Sequence, residues 1–247
     1  MSFPLFQAEG LSERKKKRIL VVIPALDEEE RIATVVEQVK EQVPEAQILV
    51  VNDGSSDQTA QEALAYGAKV LSHPFNMGYG VALQTGYKYA LKNGFDYLLQ
   101  MDGDGQHDPL YLRALLKEVE GGEVDVAIGS RFLGVGGYHV PLLRRMGMLL
   151  FGFLASRLNG QRITDPTSGY QALARRAIEF YTCDAFPGDY PDADVLVMLH
   201  RAGLRMREVR VAMRPNSNGR SMHSGLRPLY YIYKMLLSII LNLLRKN

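Results

Sequence analysis

This 247-residue chain predicts an α/β fold in which helices flank a mostly parallel central sheet. Three observations carry that expectation. Short apolar runs in the first hundred residues are continuous rather than alternating, as strands buried on both faces require. Stretches of helical periodicity separate them, which is the rhythm of βαβ units. Polar clusters follow the apolar runs, at the strand carboxyl ends where such sheets bind ligands.

In order along the chain, "RILVVIP" is a β-branched run stopped by Pro24. "LDEEERIATVVEQVKEQV" follows with helical spacing and acids in its expected first turn, where they suit the helix dipole. "AQILVVND" is the second strand, and "SDQTAQEALAYG" is a helix with a Ser or Asp cap and a Gly stop. "AKVLSH", a helix near Gly78 to Lys92, and "FDYLLQMD" repeat the cycle. Pro109 suits the first turn of a helix through "LYLRALLKEVEGG", and "VDVAI" adds a strand ending at "IGSRF". After Leu133 the pattern loosens through "GVGGYHVP" into an expected mobile loop. "LLRRMGMLLFGFLASRLNG" then resumes helical spacing. The expected organisation is a basic N-terminal tail at 1–17, the α/β domain at 18–223 and a C-terminal amphipathic helix at 224–247.

With 47% hydrophobic residues the chain can bury a core. One cysteine, Cys183, excludes an internal disulfide. No apolar leader with a small-residue cleavage site opens the chain, so a cytoplasmic location is expected. The net charge of +2 hides an asymmetry: residues 201–247 hold ten Lys or Arg and one acid, Glu208, which leaves the rest at −7. A basic end suits a membrane surface, a phosphorylated substrate or nucleic acid, and reads equally as a solvated face.

The charge in "LLQMDGDGQHDP" is the feature that points to chemistry. Asp102 and Asp104 flank a glycine at a strand end, and two uncompensated carboxylates there repel unless a cation intervenes. Hard oxygen ligands suit Mg²⁺ or Mn²⁺, which keep several waters and bind through one or two carboxylates plus substrate phosphates. Gln106 offers a further neutral oxygen. The plain alternative is an acidic Asx-turn loop, and Asp108 before Pro109 reads as a helix cap. In "VNDGSSDQT", Asp57 also reads as a cap, whereas Asp53 is placed to accept hydrogen bonds from a nucleobase or ribose. Neither a Walker P-loop nor a Rossmann glycine fingerprint is present, so a nicotinamide dehydrogenase is disfavoured.

"VVIPALDEEERIATVV", "VVNDGSSDQT", "NMGYGVALQTGYKYA", "MDGDGQHDP", "IGSRF", "TDPTSGYQAL" and "NGRSMHS" occur in one order between Arg18 and Gly225. In that order they resemble the inverting family 2 glycosyltransferases of the GT-A fold, most closely the dolichyl-phosphate mannose synthase and polyprenyl-phosphate glycosyltransferase branch. The resemblance implies that Pro24, Ala25 and Glu28 lie near the nucleoside, Asp53 at the base, and Asp102, Asp104 and Gln106 around Mg²⁺ or Mn²⁺. It implies that Gly78, Tyr79 and Gly80 let the backbone approach a nucleotide-sugar donor. Where relatives commonly read "PAYNEE", this chain has "PALDEE", so contacts at Leu26 and Asp27, and the base they serve, stay open between UDP and GDP.

Arg131 and Arg220 are candidate phosphate clamps, since a guanidinium meets two phosphate oxygens at once; surface ion pairing is the plain alternative. By resemblance Asp165 is the acceptor-side carboxylate. It would act as base toward a hydroxyl, or orient the acceptor or an arginine if the acceptor is a phosphate; it also reads as a cap in a Thr-Asp-Pro turn. Asp104, Asp165 and Arg131 are thus the expected catalytic set.

The last helix, "LYYIYKMLLSIILNLLR", is apolar except at Lys234, Ser238 and Asn242. Its sixteen residues from Leu229 to Leu244 would extend about 24 Å, short of the roughly 30 Å hydrocarbon core. With "MGMLLFGFLA", flanked by Arg144, Arg145 and Arg157, it fits an interfacial anchor on anionic lipid or a contact with a membrane partner protein. Two core helices would read the same way. The leading expectation is transfer of a sugar to a polyprenyl phosphate by a protein held peripherally at the inner membrane face. The alternatives are transfer to a saccharide or protein hydroxyl, or a non-catalytic nucleotide-sugar-binding subunit. No nucleic-acid-reading module is visible.

Overall fold

A computed structural model of the protein describes residues 17–133, 156–157, 163–188, 191 and 193–214. Four strands rise from the expected apolar runs: β1 (Ile19–Ala25), β2 (Gln47–Asn52), β3 (Lys69–Ser72) and β4 (Tyr97–Gln100). Between them lie α1 (Ile32–Gln42), α2 (Thr59–Ala65) and α3 (Tyr79–Lys92). After β4, a short 3₁₀ turn at Pro109–Tyr111 leads into α4 (Leu112–Glu120), then β5 (Val126–Ser130), β6 (Gln171–Ala174), α5 (Arg175–Tyr181), α6 (Ala193–Arg201) and β7 (Met206–Arg210).

The seven strands form one sheet in the order β3-β2-β1-β4-β6-β5-β7. β6 runs antiparallel to both β4 and β5, while the other pairings are parallel. Six strands therefore share one direction, and their carboxyl ends open on one side. All seven residues of β1 are buried, as a central strand covered on both faces must be. Alternation along the strand splits the core. Val21 and Ile23 face α1 and α4 through Val35, Val36, Leu112 and Leu115. Leu20 and Val22 face α3, α5 and α6 through Leu83, Tyr87, Ile178 and Leu196.

Two local expectations change. α1 begins at Ile32 and has no acid in its first turn, because Asp27 to Glu30 form a loop with tasks of its own. The end of "TDPTSGYQAL", to which the apolar pattern assigns no strand of its own, supplies the reversed strand β6 from Gln171, inserted between β4 and β5. The two apolar segments read as anchors fall almost wholly outside the described residues, as does Arg220. No described helix is long and apolar enough to cross a membrane.

Candidate active site

The loops after β1 and β2 are tied to each other. Asp27 adopts a left-handed backbone with φ 53°, a conformation that short polar side chains tolerate. Its Oδ1 accepts from the Ser56 backbone N–H at 2.8 Å, and the Asp27 N–H donates to Ser55 Oγ at 3.0 Å. Asp57 accepts from the Thr59 N–H at 3.0 Å and the Glu29 N–H at 3.1 Å; the first is a turn bond just ahead of α2, whose N-cap residue is Gln58 rather than Asp57. Glu28 sits between these loops, pairs with Arg31 and gives its N–H to Thr59 Oγ1 at 2.8 Å. Burial pushes the Glu28 carboxyl above its ordinary value, and the nearby charge of Asp104 adds to the rise. Leu26 is left 40% exposed at the rim.

Asp53 is buried at the end of β2. Its Oδ1 accepts from His73 Nδ1 at 2.7 Å and from the Met77 N–H at 2.9 Å, and its Oδ2 accepts from the Gly78 N–H at 2.9 Å. The carboxylate thus fastens the turn that starts α3. Gly78 needs its φ of +104° to make that turn. Gly80 is required for a different reason, since a Cβ there would stand 2.4 Å from the Pro187 carbonyl oxygen. The protein's own 187–188 loop, whose Gly188 oxygen accepts from the Val81 N–H, occupies the space beside Gly80.

The loop after β4 lies against the end of β1: at Gly103 a Cβ would be 3.2 Å from the Pro24 oxygen and 3.3 Å from Ala25 Cβ, a tight fit that needs those neighbours to shift by a few tenths of an ångström. Asp102 Oδ1 accepts from the Tyr79 hydroxyl at 2.8 Å, and its backbone N–H donates to His107 Nδ1 at 2.9 Å. That bond makes Nδ1 an acceptor, so the 3.7 Å approach of the same nitrogen to Asp102 Oδ2 is not an ion pair while it lasts. His107 in turn stacks on Tyr170 at 4.7 Å, and Tyr170 donates to the Asp108 carbonyl at 2.8 Å. Asp108 caps the following turn through the Leu110 N–H. Asp104 Oδ1 accepts from the Gln106 N–H at 2.9 Å, and the Gln106 amide nitrogen faces Asp104 Oδ2.

Packing around Asp102 raises its carboxyl above the ordinary value, and the Asp104 charge works in the same direction. A divalent cation would offset both. Among the described residues no group of three or more His, Cys, Asp or Glu side chains gathers to hold a metal. Two hard carboxylates at a strand end still fit an ion that takes its remaining oxygens from water and phosphate.

On the far side of β4, Arg131 and Asp165 form a buried bidentate pair. Asp165 accepts from the Arg131 N–H at 3.0 Å, from Nε at 2.7 Å and from Nη2 at 2.6 Å. The side chains are 7% and 0% exposed. Beneath them Glu208 of β7 accepts from the Asp165 N–H at 2.8 Å and from the Thr164 N–H and hydroxyl at 2.9 and 2.8 Å. Its carboxyl is raised, chiefly by burial. The pair is tied to the same sheet end: Arg131 Nη2 also donates to Thr167 Oγ1 at 3.0 Å, two residues before Gly169, whose Cβ would stand 3.8 Å from Asp102 Oδ1.

The crevice therefore brings together Pro24, Ala25, Glu28, Asp53, Gly78, Tyr79, Gly80, Asp102, Asp104, Gln106, Arg131 and Asp165. Glu208, His73 and Gly169 were missed in the sequence, although Glu208 stands out there as the lone acid of a basic stretch.

Known proteins share this architecture and these segments. Residues 20–182 match the family model for glycosyl transferase family 2. The polyprenol monophosphomannose synthase of Mycolicibacterium smegmatis is 36% identical over 191 residues, covering 72% of each chain. The undecaprenyl-phosphate mannosyltransferase of Micrococcus luteus is 32% identical over 217 residues, covering 84% of this chain and 88% of the relative. The crystal structure of glucosyl-3-phosphoglycerate synthase from Mycobacterium tuberculosis, in complex with Mn²⁺ and UDP-glucose, superposes with a TM-score of 0.68 at 23% identity. It covers 92% of this chain and 78% of the other, and it shares the fold.

Proposed function

The chain belongs to glycosyl transferase family 2, and from that premise we propose that it transfers one sugar from a UDP- or GDP-linked donor to a polyprenyl phosphate. The observation that carries this reading is the state of Asp165. A hydroxyl acceptor needs a general base within hydrogen-bond reach of its proton. Asp165, the expected base, is unexposed and gives both oxygens to Arg131. The other described carboxylates of the crevice have partners as well: Glu28 holds Arg31, Asp53 holds the 77–78 turn, Asp102 accepts from the Tyr79 hydroxyl and Asp104 accepts from the Gln106 N–H. A phosphate acceptor is already ionised at neutral pH and needs no base. Of the roles open to Asp165, orienting Arg131 is the one its hydrogen bonds support.

Asp102 and Asp104, with Gln106 beside them, would hold Mg²⁺ or Mn²⁺. When bound, such an ion neutralises charge on the departing nucleoside diphosphate. Arg131 adds a fixed cation preorganised by Asp165, so little reorganisation is needed as charge develops. Glu28, Asp53, Pro24 and Ala25 line the nucleoside side, and attack from the opposite face inverts the anomeric carbon. The polyprenyl acceptors named for the two relatives support the lipid reading. So do the apolar, basic-flanked segments at 146–155 and 229–244, which suit a peripheral position on an anionic inner membrane face or on a membrane partner.

The test incubates the purified full chain with radiolabelled UDP- and GDP-sugars and membrane lipids, followed by organic extraction. Label should enter the organic phase with one donor and should be lost in excess EDTA and in Asp104→Asn. Label confined to water with every donor, or undiminished turnover in EDTA, would contradict the proposal.

A further inference from the structure

We infer that Tyr79 is a positioning residue for Asp102, setting which carboxylate oxygen that side chain offers to a divalent cation; this rests on the metal reading above. The phenol donates to Asp102 Oδ1 at 2.8 Å. A carboxylate hydrogen-bonded at one oxygen is biased toward the orientations that keep that bond, and so toward presenting its other oxygen to a cation. A phenol does this without bringing a formal charge, so Asp102 keeps the negative charge a cation needs, which a Lys or Arg donor would cancel.

Two features indicate that the surroundings are shaped for this bond. Gly169, just before β6, leaves the space the hydroxyl occupies: a Cβ there would stand 2.7 Å from the Tyr79 oxygen and 3.8 Å from Asp102 Oδ1. Gly169 has no positive φ, so its lack of a side chain is explained by that space and not by its backbone. The second feature lies at the other end of the tyrosine. Tyr79 is the first residue of α3, and the turn that delivers it is fastened by Asp53 through the Met77 and Gly78 N–H groups. A continuous chain of contacts thus runs from the end of β2 through the 77–78 turn and the phenol to the end of β4. Asp53 positions the tyrosine, and the tyrosine positions Asp102.

Glycine and tyrosine should then behave as one unit under substitution. Outer-shell partners of a metal ligand change metal affinity about 10–100-fold when removed. The probe is Mn²⁺, titrated into the full chain with saturating UDP and, separately, GDP, with free Mn²⁺ read by electron paramagnetic resonance. Tyr79→Phe should bind Mn²⁺ about 10–100-fold more weakly than wild type, with circular dichroism confirming the fold. Gly169→Ala should show a similar loss, because the methyl displaces the hydroxyl. The double substitution should be no weaker than Tyr79→Phe alone, since the methyl then meets no oxygen. Wild-type Mn²⁺ affinity in folded Tyr79→Phe, or additive losses in the double variant, would overturn the inference. A wild-type chain that binds no Mn²⁺ with either nucleotide would instead overturn the metal reading on which it stands.

Discussion

Replacing Asp165 by alanine separates a buried orienting carboxylate from an accessible base. The substitution takes from the Arg131 guanidinium, only 7% exposed, both of its Asp165 acceptors while the Nη2 bond to Thr167 Oγ1 at 3.0 Å remains, and leaves the Arg131 backbone N–H without its bond at 3.0 Å. Breaking a buried ion pair by removing one partner costs about 3–5 kcal/mol. That is a large part of the roughly 5–15 kcal/mol that holds a domain together. Urea denaturation with linear extrapolation resolves a difference of that size. The companion variant Arg131→Met/Asp165→Leu removes both charges from the site. Because an apolar replacement of a whole buried pair is often neutral, it should recover most of the lost stability. Transfer should stay abolished, since Arg131 is gone. The reasoning fails if Asp165→Ala loses less than about 1 kcal/mol, the range of an exposed pair, while abolishing transfer: the carboxylate would then serve the acceptor directly rather than the arginine.

Three further outcomes are expected. Gly80→Ala should destabilise the fold by about 1–3 kcal/mol through overpacking, because the new methyl would stand 2.4 Å from the Pro187 oxygen; unchanged thermal stability would show that the 187–188 loop yields freely. Glu208, whose folded carboxyl lies above its ordinary 4.5, favours the folded state most when protonated, so that contribution is full below pH 4.5 and fades as pH rises through the raised value. Glu208→Gln should therefore lose less stability than wild type over that window in pH-dependent urea melts, and parallel profiles would refute the assignment. Truncation after Gly225 removes Arg227, Lys234, Arg245 and Lys246, each worth about 1 kcal/mol near an anionic surface; sedimentation with anionic vesicles should fall sharply, and undiminished binding would place the anchor elsewhere.

The parallel half of the sheet was legible because β1, β2 and β4 are buried on both faces and read as unbroken apolar runs. β6 and β7 were not. β6 reads "QALA", with one large apolar residue, and β7 has the pattern "MREVR" with an exposed arginine at its second position, so neither carries an apolar run to find. The acids of "LDEEE" were assigned to a helix because their spacing suits one, whereas hydrogen bonds to the β2 loop hold them outside it. Asp102, Asp104 and Gln106 stand together in the loop after β4, where residue type and position in the sequence put them. The contacts that hold the site in place were not legible there, because Tyr79 and Gly169 lie far from Asp102 in sequence and meet it only through the fold. Glu208 reaches the Asp165 turn from β7 in the same way.

One measurement bears most directly on the acceptor. Purified full chain, the active labelled donor and Mn²⁺ are given two detergent-dispersed lipids of equal chain length, a polyprenyl phosphate and the corresponding free polyprenol, and the labelled products are separated by chromatography. With Asp165 committed to Arg131, the phosphate should be glycosylated and the alcohol should not. Efficient labelling of the alcohol, with the phosphate left untouched, would contradict that account and place a base in the crevice.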